Sequence, residues 1–362
     1  MFSTITQWVS SHKAISSVIA AVLVLGVGAG IFMAANAEAD VTTTTTEAST
    51  TTTSTPATTT SEATTTTVAG ATSQINGLPV EDEALLNRRL LAVKVDNHPN
   101  ARPQTGIDAA DAVFEYLAEG VTRFMAWWQQ SESEYLGPMR SARPTDQTLL
   151  AYFNEPTLAI SGGQSWVREM IASVGVHIIG EVEPATFRSS SRRAPHNLYT
   201  NTGLLREYAD EQGYPDEPID GPMWEFGPMR EDAEAASKVS FDFRGNPVEW
   251  TWDDAEGLWL RTIGGDESNT VTVDGEESQI GFPVLVAMYV EQYTVGDLPT
   301  SNTVGQGLVY IFADGKVVQG TWQRDSIDEW FTLADNDGEQ ILVPPGQVWI
   351  SLVPDDSGIE IE

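Results

Sequence analysis

The chain has no cysteine and only four histidines among its 362 residues. The lack of cysteine excludes disulfides, thiolate zinc ligands, a cysteine nucleophile and a lipid attached to an N-terminal cysteine. The histidines that follow residue 13 lie at 98, 177 and 196, too scattered to suggest a zinc site. The motifs of serine hydrolases, P-loop NTPases, zincins and kinases are also missing. We therefore expect no metal and no cofactor.

Basic residues are scarce too, with 19 lysines and arginines against 52 acidic residues and a formal net charge of −33. Such a surface repels a polyanion, so nucleic acid is not an expected partner. The basic residues are unevenly distributed. Residues 102–206 hold 9 basic and 11 acidic residues, whereas residues 207–362 hold 6 and 33. This asymmetry places a candidate site in the first half of the chain.

Charge is missing altogether from Ala14 to Ala35, a run of 22 residues that follows Lys13. A membrane-spanning helix needs about 20 apolar residues, whereas the core of a signal peptide has about 7–15. The small residues Ala35–Ala37 also fit a signal-peptide cleavage site. Two interpretations stay open within residues 1–40: a single-pass transmembrane helix with the N-terminus inside, or a cleaved signal. Both place the rest of the chain outside the cytoplasm, either held at the cell membrane or secreted.

Residues 41–74 are of low complexity. Between Thr42 and Ser73 there are 18 threonines, with serine, alanine, glutamate and a single proline. Polar residues without apolar periodicity cannot form a packed core, so this segment is predicted to be a disordered stalk. Its composition is typical of O-glycosylated stalks.

Residues 75–235 predict an α+β or α/β domain with a mixed sheet, because strand patterns alternate with helix patterns. "RLLAVKVDN", "PTLAIS" and "VHIIGEV" favour strands, and "DQTLLAYFN" and "SWVREMIASVG" favour helices. "GIDAADAVFEYLAEG" has two interpretations. In the first, Asp108 caps a helix on which Glu115 and Glu119 share a face; in the second, "AVFEYL" is a strand on which Glu115 and Leu117 share a face.

Residues 236–362 predict a small, acidic, mainly antiparallel β domain. "LVYIFADGKVVQGTW" has Asp314-Gly315 between two alternating runs, which is a strong hairpin signal. "VEWTWDDAEGLWLRTI" indicates a second hairpin, in which Trp250 and Trp252 pair with Leu258 and Leu260. "WFTLADNDGEQILV" predicts a third hairpin with its turn at Asp337-Gly338, because the segment "DNDGE" lacks the ligand spacing of an EF-hand.

Arginines concentrate in two short segments, "GPMRSARP" (Gly137–Pro144) and "FRSSSRRAPHN" (Phe187–Asn197). The planar fork of a guanidinium group suits carboxylate or phosphate oxygens. These residues predict an anion or sugar-acid site, but arginines that only pair with carboxylates inside the fold remain the alternative. The candidate ligand-binding residues are Arg123, Arg140, Ser141, Arg143, Arg188, His196, Asn197, Asp96, Asn97, Glu115 and Glu119. For catalysis, the candidates are His196 and Glu115.

Four segments carry a resemblance to the DUF3048 family of bacterial surface proteins. They are "VDNHPNARPQTGIDAADAVFEYLAEGVTRF", "GPMRSARP", "FRSSSRRAPHNLYT" and, near the end, "GLVYIFADGKVVQGTW" with "PPGQVWISLVP". The resemblance implies a membrane-tethered extracytoplasmic protein with two domains and implies no reaction or ligand. Two departures stand out: lipoprotein members use an N-terminal cysteine, and many members have a histidine where this chain has Ser161.

Three functions follow as hypotheses. The first is a cell-envelope protein that binds an anionic ligand, such as peptidoglycan or a wall-polymer phosphate, through its arginines. The second is an envelope hydrolase or transferase that acts on a wall polymer with His196 or Glu115 as acid or base. The third is a scaffold that docks another envelope protein. Whether the protein is an enzyme is left open by the sequence.

Overall fold

The computed structural model describes residues 70–271 and 275–362. The predicted transmembrane or signal segment and nearly all of the predicted stalk lie outside the described residues. In the part that is described, no helix is both long and apolar enough to cross a membrane. Packing begins close to the predicted end of the stalk, because Ser73 and Ile75 are already buried.

Helices are few in the described residues. They comprise three α-helices, α1 (Pro144–Leu150), α2 (Ser165–Ala172) and α3 (Thr202–Glu211), and three short 3-10 helices over Glu83–Asn87, Pro99–Ala101 and Ile107–Ala109. The first eight strands are β1 (Leu91–Asp96), β2 (Gln104–Thr105), β3 (Ala112–Leu117), β4 (Thr122–Trp128), β5 (Thr157–Ala159), β6 (His177–Ile179), β7 (Phe187–Arg188) and β8 (Leu198–Tyr199).

The second part of the chain is built from strands. They are β9 (Glu234–Ala235), β10 (Lys238–Asp242), β11 (Pro247–Asp253), β12 (Leu258–Ile263), β13 (Asp266–Glu267), β14 (Asn269–Val271), β15 (Glu277–Gln279), β16 (Gly281–Phe282), β17 (Val284–Val290), β18 (Gln292–Val295), β19 (Leu298–Ser301), β20 (Gly305–Ala313), β21 (Lys316–Arg324), β22 (Thr332–Ala334), β23 (Val348–Pro354) and β24 (Ile359–Ile361).

One sheet runs through both parts of the chain. Its order is β22-β21-β20-β17-β23-β3-β4-β1-β5-β6, and β9 adds to β21. The connection between the two parts is a parallel pairing of β23 with β3, in which Val348 lies opposite Ala112 and Leu352 opposite Tyr116. The mixed sheet that was predicted for the first part is confirmed. For the second part, the antiparallel prediction is incomplete, because β17, β23 and β3 are parallel neighbours.

Two apolar cores lie on the two faces of the large sheet. Side chains alternate along each strand, so Trp127 belongs to one core and Trp128 to the other. The second core lies between the large sheet and the smaller sheet β13-β12-β11-β10-β24, which contributes Trp250 and Trp259.

The segment "GIDAADAVFEYLAEG", for which the sequence allowed a helix or a strand, contains a strand. "AVFEYL" forms β3, and Asp108 lies inside the short 3-10 helix instead of capping an α-helix. The helical alternative is therefore wrong, and Glu115 and Glu119 do not share a helical face. The strand pairs β4 antiparallel and β23 parallel, so pairing on both edges overrides the weak helix pattern.

All three hairpins predicted in the acidic half form, the shortest through a bridge between Ala334 and Gln340. β20 and β21 meet at Asp314-Gly315, and Asp314 adopts the left-handed conformation that this turn needs. In the hairpin of β11 and β12 the predicted register is wrong. Trp252 lies opposite Trp259, and Trp250 lies opposite Arg261. The offset is one position, so Leu258 and Leu260 face away from Trp250 and Trp252, because a one-residue slip turns every side chain to the other face.

Candidate functional site

The candidate site lies where three parallel strands end. β1, β5 and β6 run parallel in the large sheet, so their carboxyl ends meet at one edge. Asp96 closes β1, Ser161 and Gly162 follow β5, and Gly180 and Glu181 follow β6. Such an edge is where ligands bind in open sheets of this kind.

The segment Gly137–Pro144, hereafter the arginine loop, is inserted between the diverging ends of β1 and β5. The Arg140 amide donates to the Lys94 carbonyl at 2.9 Å, and the Arg140 carbonyl accepts from the Ser161 amide at 3.0 Å. The Ala142 amide then donates to the Gly162 carbonyl at 3.3 Å. Pro144 begins α1, a position at which a helix does not use the missing N–H. These bonds satisfy the loop backbone and hold its arginines at the sheet edge.

Asp96 is the buried centre of the site, with 1% of its side chain exposed. Its Oδ2 lies 2.7 Å from Nδ1 of His196 and 3.4 Å from Nε of Arg140, and its Oδ1 accepts from the His98 amide at 3.0 Å. The rings of His98 and His196 stack with centroids 4.6 Å apart. The carboxylate and the stacked ring together fix the orientation of His196.

Glu119 is shared by two guanidinium groups. Its Oε2 lies 2.6 Å from Arg143 and 3.5 Å from Arg123, and Arg123 also donates to the Ser141 carbonyl at 3.3 Å. Burial opposes ionisation of Glu119, but the hydrogen bond and charge of Arg143 hold the pKa of this carboxyl below its ordinary value. Burial and the neighbouring charge of Arg143 lower the pKa of Arg123 to about 10. The carboxylates of Glu119 and Asp96 act in the opposite direction and favour the charged form of Arg123.

A second chain of polar contacts lies beside the arginine loop. Arg188 donates to Oδ1 of Asn197 at 2.6 Å and to Glu181 at 2.5 Å, and Glu181 accepts from the Ser161 hydroxyl at 2.9 Å. Arg188 keeps 42% of its side chain exposed. The segment that carries Arg188 and Asn197 is thereby connected to the ends of β5 and β6.

Two candidate residues lie away from this group. Asn97 and Glu115 lie on the opposite face of the sheet, because Asn97 follows Asp96 by one position and Glu115 lies between Val113 and Leu117, which belong to the second core. Glu115 is fully buried and bonds Arg261 at 2.5 Å, Thr122 at 2.6 Å and Trp349 at 3.2 Å. This burial leaves it no surface for a substrate.

Asn97 has the same kind of environment. Its amide donates to the Thr122 hydroxyl at 2.7 Å, and its Oδ1 accepts from Arg102 at 3.1 Å and from Gln104 at 3.0 Å. With no exposed surface, Asn97 holds the turn after β1 in place. The structure thus brings Asp96 together with the arginines and separates Asn97 and Glu115 from them.

A buried polar network beneath the site was not anticipated. Lys94 lies 2.9 Å from Asp146 and also bonds Tyr116, which in turn bonds Asp146, and all three are fully buried. Burial lowers the pKa of Lys94 to about 8, although Asp146 opposes the shift. Asp146 also accepts from the Arg143 amide at 2.8 Å, so the network anchors the arginine loop. The one signal in the sequence was a lysine inside the apolar run "LLAVKV".

The site has an excess of positive groups. The guanidinium groups of Arg123, Arg140 and Arg143 face two carboxylates, those of Asp96 and Glu119. Within the described residues, the Nε–H groups of Arg123 and Arg143 have no hydrogen-bond partner, and that of Arg140 approaches only Asp96, at 3.4 Å. Buried donors without partners are costly, and an anion with several oxygens would satisfy them. No group of three or more His, Asp or Glu side chains in the described ranges is arranged to hold a metal.

Comparison with known proteins gives a consistent result for both parts of the chain. Residues 75–215 match the family described as "Protein of unknown function (DUF3048) N-terminal domain", and residues 238–350 match "Protein of unknown function (DUF3048) C-terminal domain". The chain is 28% identical over 297 residues to "Putative lipoprotein YerB" of Bacillus subtilis (strain 168). The matched region covers 78% of this chain and 86% of that relative. The crystal structure of the Bacillus subtilis YerB protein superposes with a TM-score of 0.70 at 25% identity, over 80% of this chain and 99% of that one.

Proposed function

The chain belongs to the DUF3048 family, and we propose that it is an extracytoplasmic protein, held at the cell membrane, that binds an anionic cell-wall ligand at the arginine loop. Support for the location comes from two sources. The relative YerB is named as a lipoprotein, and this chain has an uncharged run of 22 residues before a threonine-rich segment. That run would replace the lipid of the relative as the membrane anchor.

The observation that carries the binding proposal is the excess of guanidinium groups over carboxylates at the sheet edge. Arg140 contributes most to it, because 22% of its side chain is exposed and its only ion pair, within the described residues, is the 3.4 Å contact with Asp96. In a protein with a net charge of −33, a partly desolvated group of three arginines is an unusual feature. Phosphate or carboxylate oxygens are the ligands that such a group prefers.

Thermal unfolding of the detergent-solubilised full chain tests the proposal. Inorganic phosphate, soluble muropeptides and isolated wall polymers are added, and the melting temperature is recorded. An anion present at a hundredfold excess over its Kd should stabilise the native state by about 2.7 kcal/mol. The effect should disappear in Arg140→Ala and persist in Arg244→Ala, whose arginine pairs with Asp356 on the surface. If the two variants respond alike, the arginine loop is not the binding site.

A second function is favoured by one specific contact, the 2.7 Å bond between Asp96 and Nδ1 of His196. A buried carboxylate that orients a partly exposed imidazole is the arrangement of a general base with its positioning group. As a hydrolase or transferase, the protein would use His196 as the base and the neighbouring arginines to stabilise developing negative charge. Turnover of a wall polymer that is lost in His196→Ala, with the melting temperature retained, would support this function. If the protein binds the polymer without turning it over, the result would support anion binding without catalysis.

A further inference from the structure

We propose that a cavity beside the arginine loop is a sugar-binding subsite, so that the ligand is a hexose derivative with a phosphate or carboxylate group. This inference rests on the proposed anion-binding function and extends it. The cavity has a volume of about 540 Å³ and lies at the carboxyl ends of β5 and β6. Five of its eight lining residues are exposed, so the cavity is open to solvent, and its volume lies within the range of about 300–1,000 Å³ found for small-molecule sites.

The cavity adjoins the arginine loop directly. Gly162 lines it, and the Gly162 carbonyl accepts from Ala142 of the loop. The Ser141 hydroxyl lies 3.7 Å from the position where a Cβ on Gly162 would stand. Glu181, another lining residue, bonds Ser161, whose amide donates to Arg140. A ligand held by its anionic group at the arginine loop would therefore place the rest of its structure in this cavity.

The lining has the mixed character of a sugar site. Ile160, Ala172 and Ile178 supply apolar contacts, and Arg168, Glu169 and Glu181 supply polar groups. Arg168 is exposed, and its side chain has no ion pair or hydrogen bond to any described residue. A pyranose ring presents C–H groups to an apolar surface and hydroxyls to carboxylates and guanidinium groups. A lipid chain would instead desolvate two carboxylates without replacing their hydrogen bonds.

Gly180 keeps the cavity open. It is a lining residue, its φ is not in the left-handed region, and a Cβ built on it would meet no heavy atom within 4 Å. A larger side chain here is therefore compatible with the fold and would occupy the cavity. Gly358 has the same open surroundings and an ordinary φ, and it lies between β23 and β24, outside the cavity lining. It offers a matched control position.

Calorimetric titration of the full chain with four probes tests the subsite. The probes are inorganic phosphate, N-acetylglucosamine 1-phosphate, N-acetylmuramic acid and neutral N-acetylglucosamine. At least one anionic sugar should bind about tenfold or more tightly than phosphate. Preference between the two anionic sugars identifies the anion as phosphate or carboxylate. Neutral N-acetylglucosamine should bind more weakly than either, because it lacks the group that the arginines hold.

Gly180→Leu should abolish the advantage of the sugar and leave the affinity for phosphate unchanged, and Gly358→Leu should change neither. Arg168→Ala, at an exposed position, should weaken only the anionic sugar, by about threefold or more. If phosphate binds but the sugar adds nothing, or if Gly180→Leu retains the advantage, the subsite is refuted while the anion site stands. If no anion binds and Arg140→Ala changes nothing, the proposed function fails as well.

Discussion

Asp96 lies directly opposite Arg123 in the register of β1 and β4, yet its carboxylate makes its close contacts with His196 and Arg140. Arg123 instead reaches Glu119, which it shares with Arg143. Asp96 and Glu119 therefore each contact two side chains that are cationic or can be protonated. This sharing leaves positive charge uncompensated at the end of β1, and the predictions below follow from it.

Asp96→Asn should strengthen the binding of phosphate by about three- to tenfold, because it removes the negative charge nearest to Arg140. The same change should lower the free energy of unfolding by about 1–3 kcal/mol, because Asp96 is buried and hydrogen-bonded. Calorimetric titration and urea unfolding measure the two effects. Asp356→Asn, on the surface, is the control that should leave both unchanged. Weaker phosphate binding in Asp96→Asn would mean that the arginines are fully engaged within the fold.

Glu115→Gln should lower the free energy of unfolding by about 3–5 kcal/mol, because it leaves the fully buried Arg261 without its carboxylate. Affinity for phosphate should stay the same, since Glu115 is on the other face of the sheet. Urea unfolding and the phosphate titration give the two values. The double variant Glu115→Leu with Arg261→Met should regain much of the stability, because neither buried charge then remains. Loss of phosphate binding in a folded Glu115→Gln protein would contradict the separation of the two polar groups.

Lys94 should make stability rise with pH above about 8. Its pKa is lowered to about 8 in the native state, below its unfolded value of 10.5, so between these values the unfolded state binds more protons. From about pH 8 to about pH 9.5 this contributes about 1.5 kcal/mol to the free energy of unfolding. The comparison is between wild type and Lys94→Met, which should lack this rise. Parallel pH dependences of the two proteins would show that Lys94 keeps its ordinary pKa.

Gly137→Ala should destabilise the fold by about 2 kcal/mol and weaken phosphate binding. Gly137 has a φ of 148°, and a Cβ on it would lie 2.8 Å from the Tyr199 ring and 3.0 Å from the Leu198 carbonyl. The loop would have to move away from β8, and its arginines would move with it. Gly221→Ala is the control, because Gly221 also has a positive φ but open surroundings. Equal losses of stability in the two variants would mean that backbone conformation, and not the close approach, decides the effect.

The sequence predicted the residues of the site better than their arrangement. The arginine loop and the segment with His196 do converge on Asp96, because prolines, glycines and polar residues signal loops at the ends of apolar strands. Glu115 was also a candidate, but it lies inside β3 between Val113 and Leu117 of the second core, whereas Glu119 lies in the connection after the strand. Because alternate residues of a strand face opposite sides, the side chain of Glu115 enters the core instead of the site.

The pairing between strands that are distant in the chain could not be predicted from the sequence. "LVYIFADGKVVQGTW" specifies its own hairpin through a local turn, whereas nothing in "QVWISLVP" indicates that β23 pairs with β3 more than 200 positions earlier. Lys94 and Asp146 became partners in the same way, through tertiary contacts between a strand and a helix. A turn is determined by adjacent residues and can be predicted from them. Long-range pairings depend instead on how whole faces of the sheet and helices pack together.

The parallel pairing of β23 with β3 also determines at which stage of synthesis the large sheet can form. Because β23 spans Val348–Pro354 and lies between β17 and β3, the middle of the large sheet stays open until these residues have been synthesised. During that interval β3 has an unpaired edge of apolar residues, which is a template for aggregation. The protein is thus expected to be more prone to aggregation during folding than a protein whose first domain closes by itself.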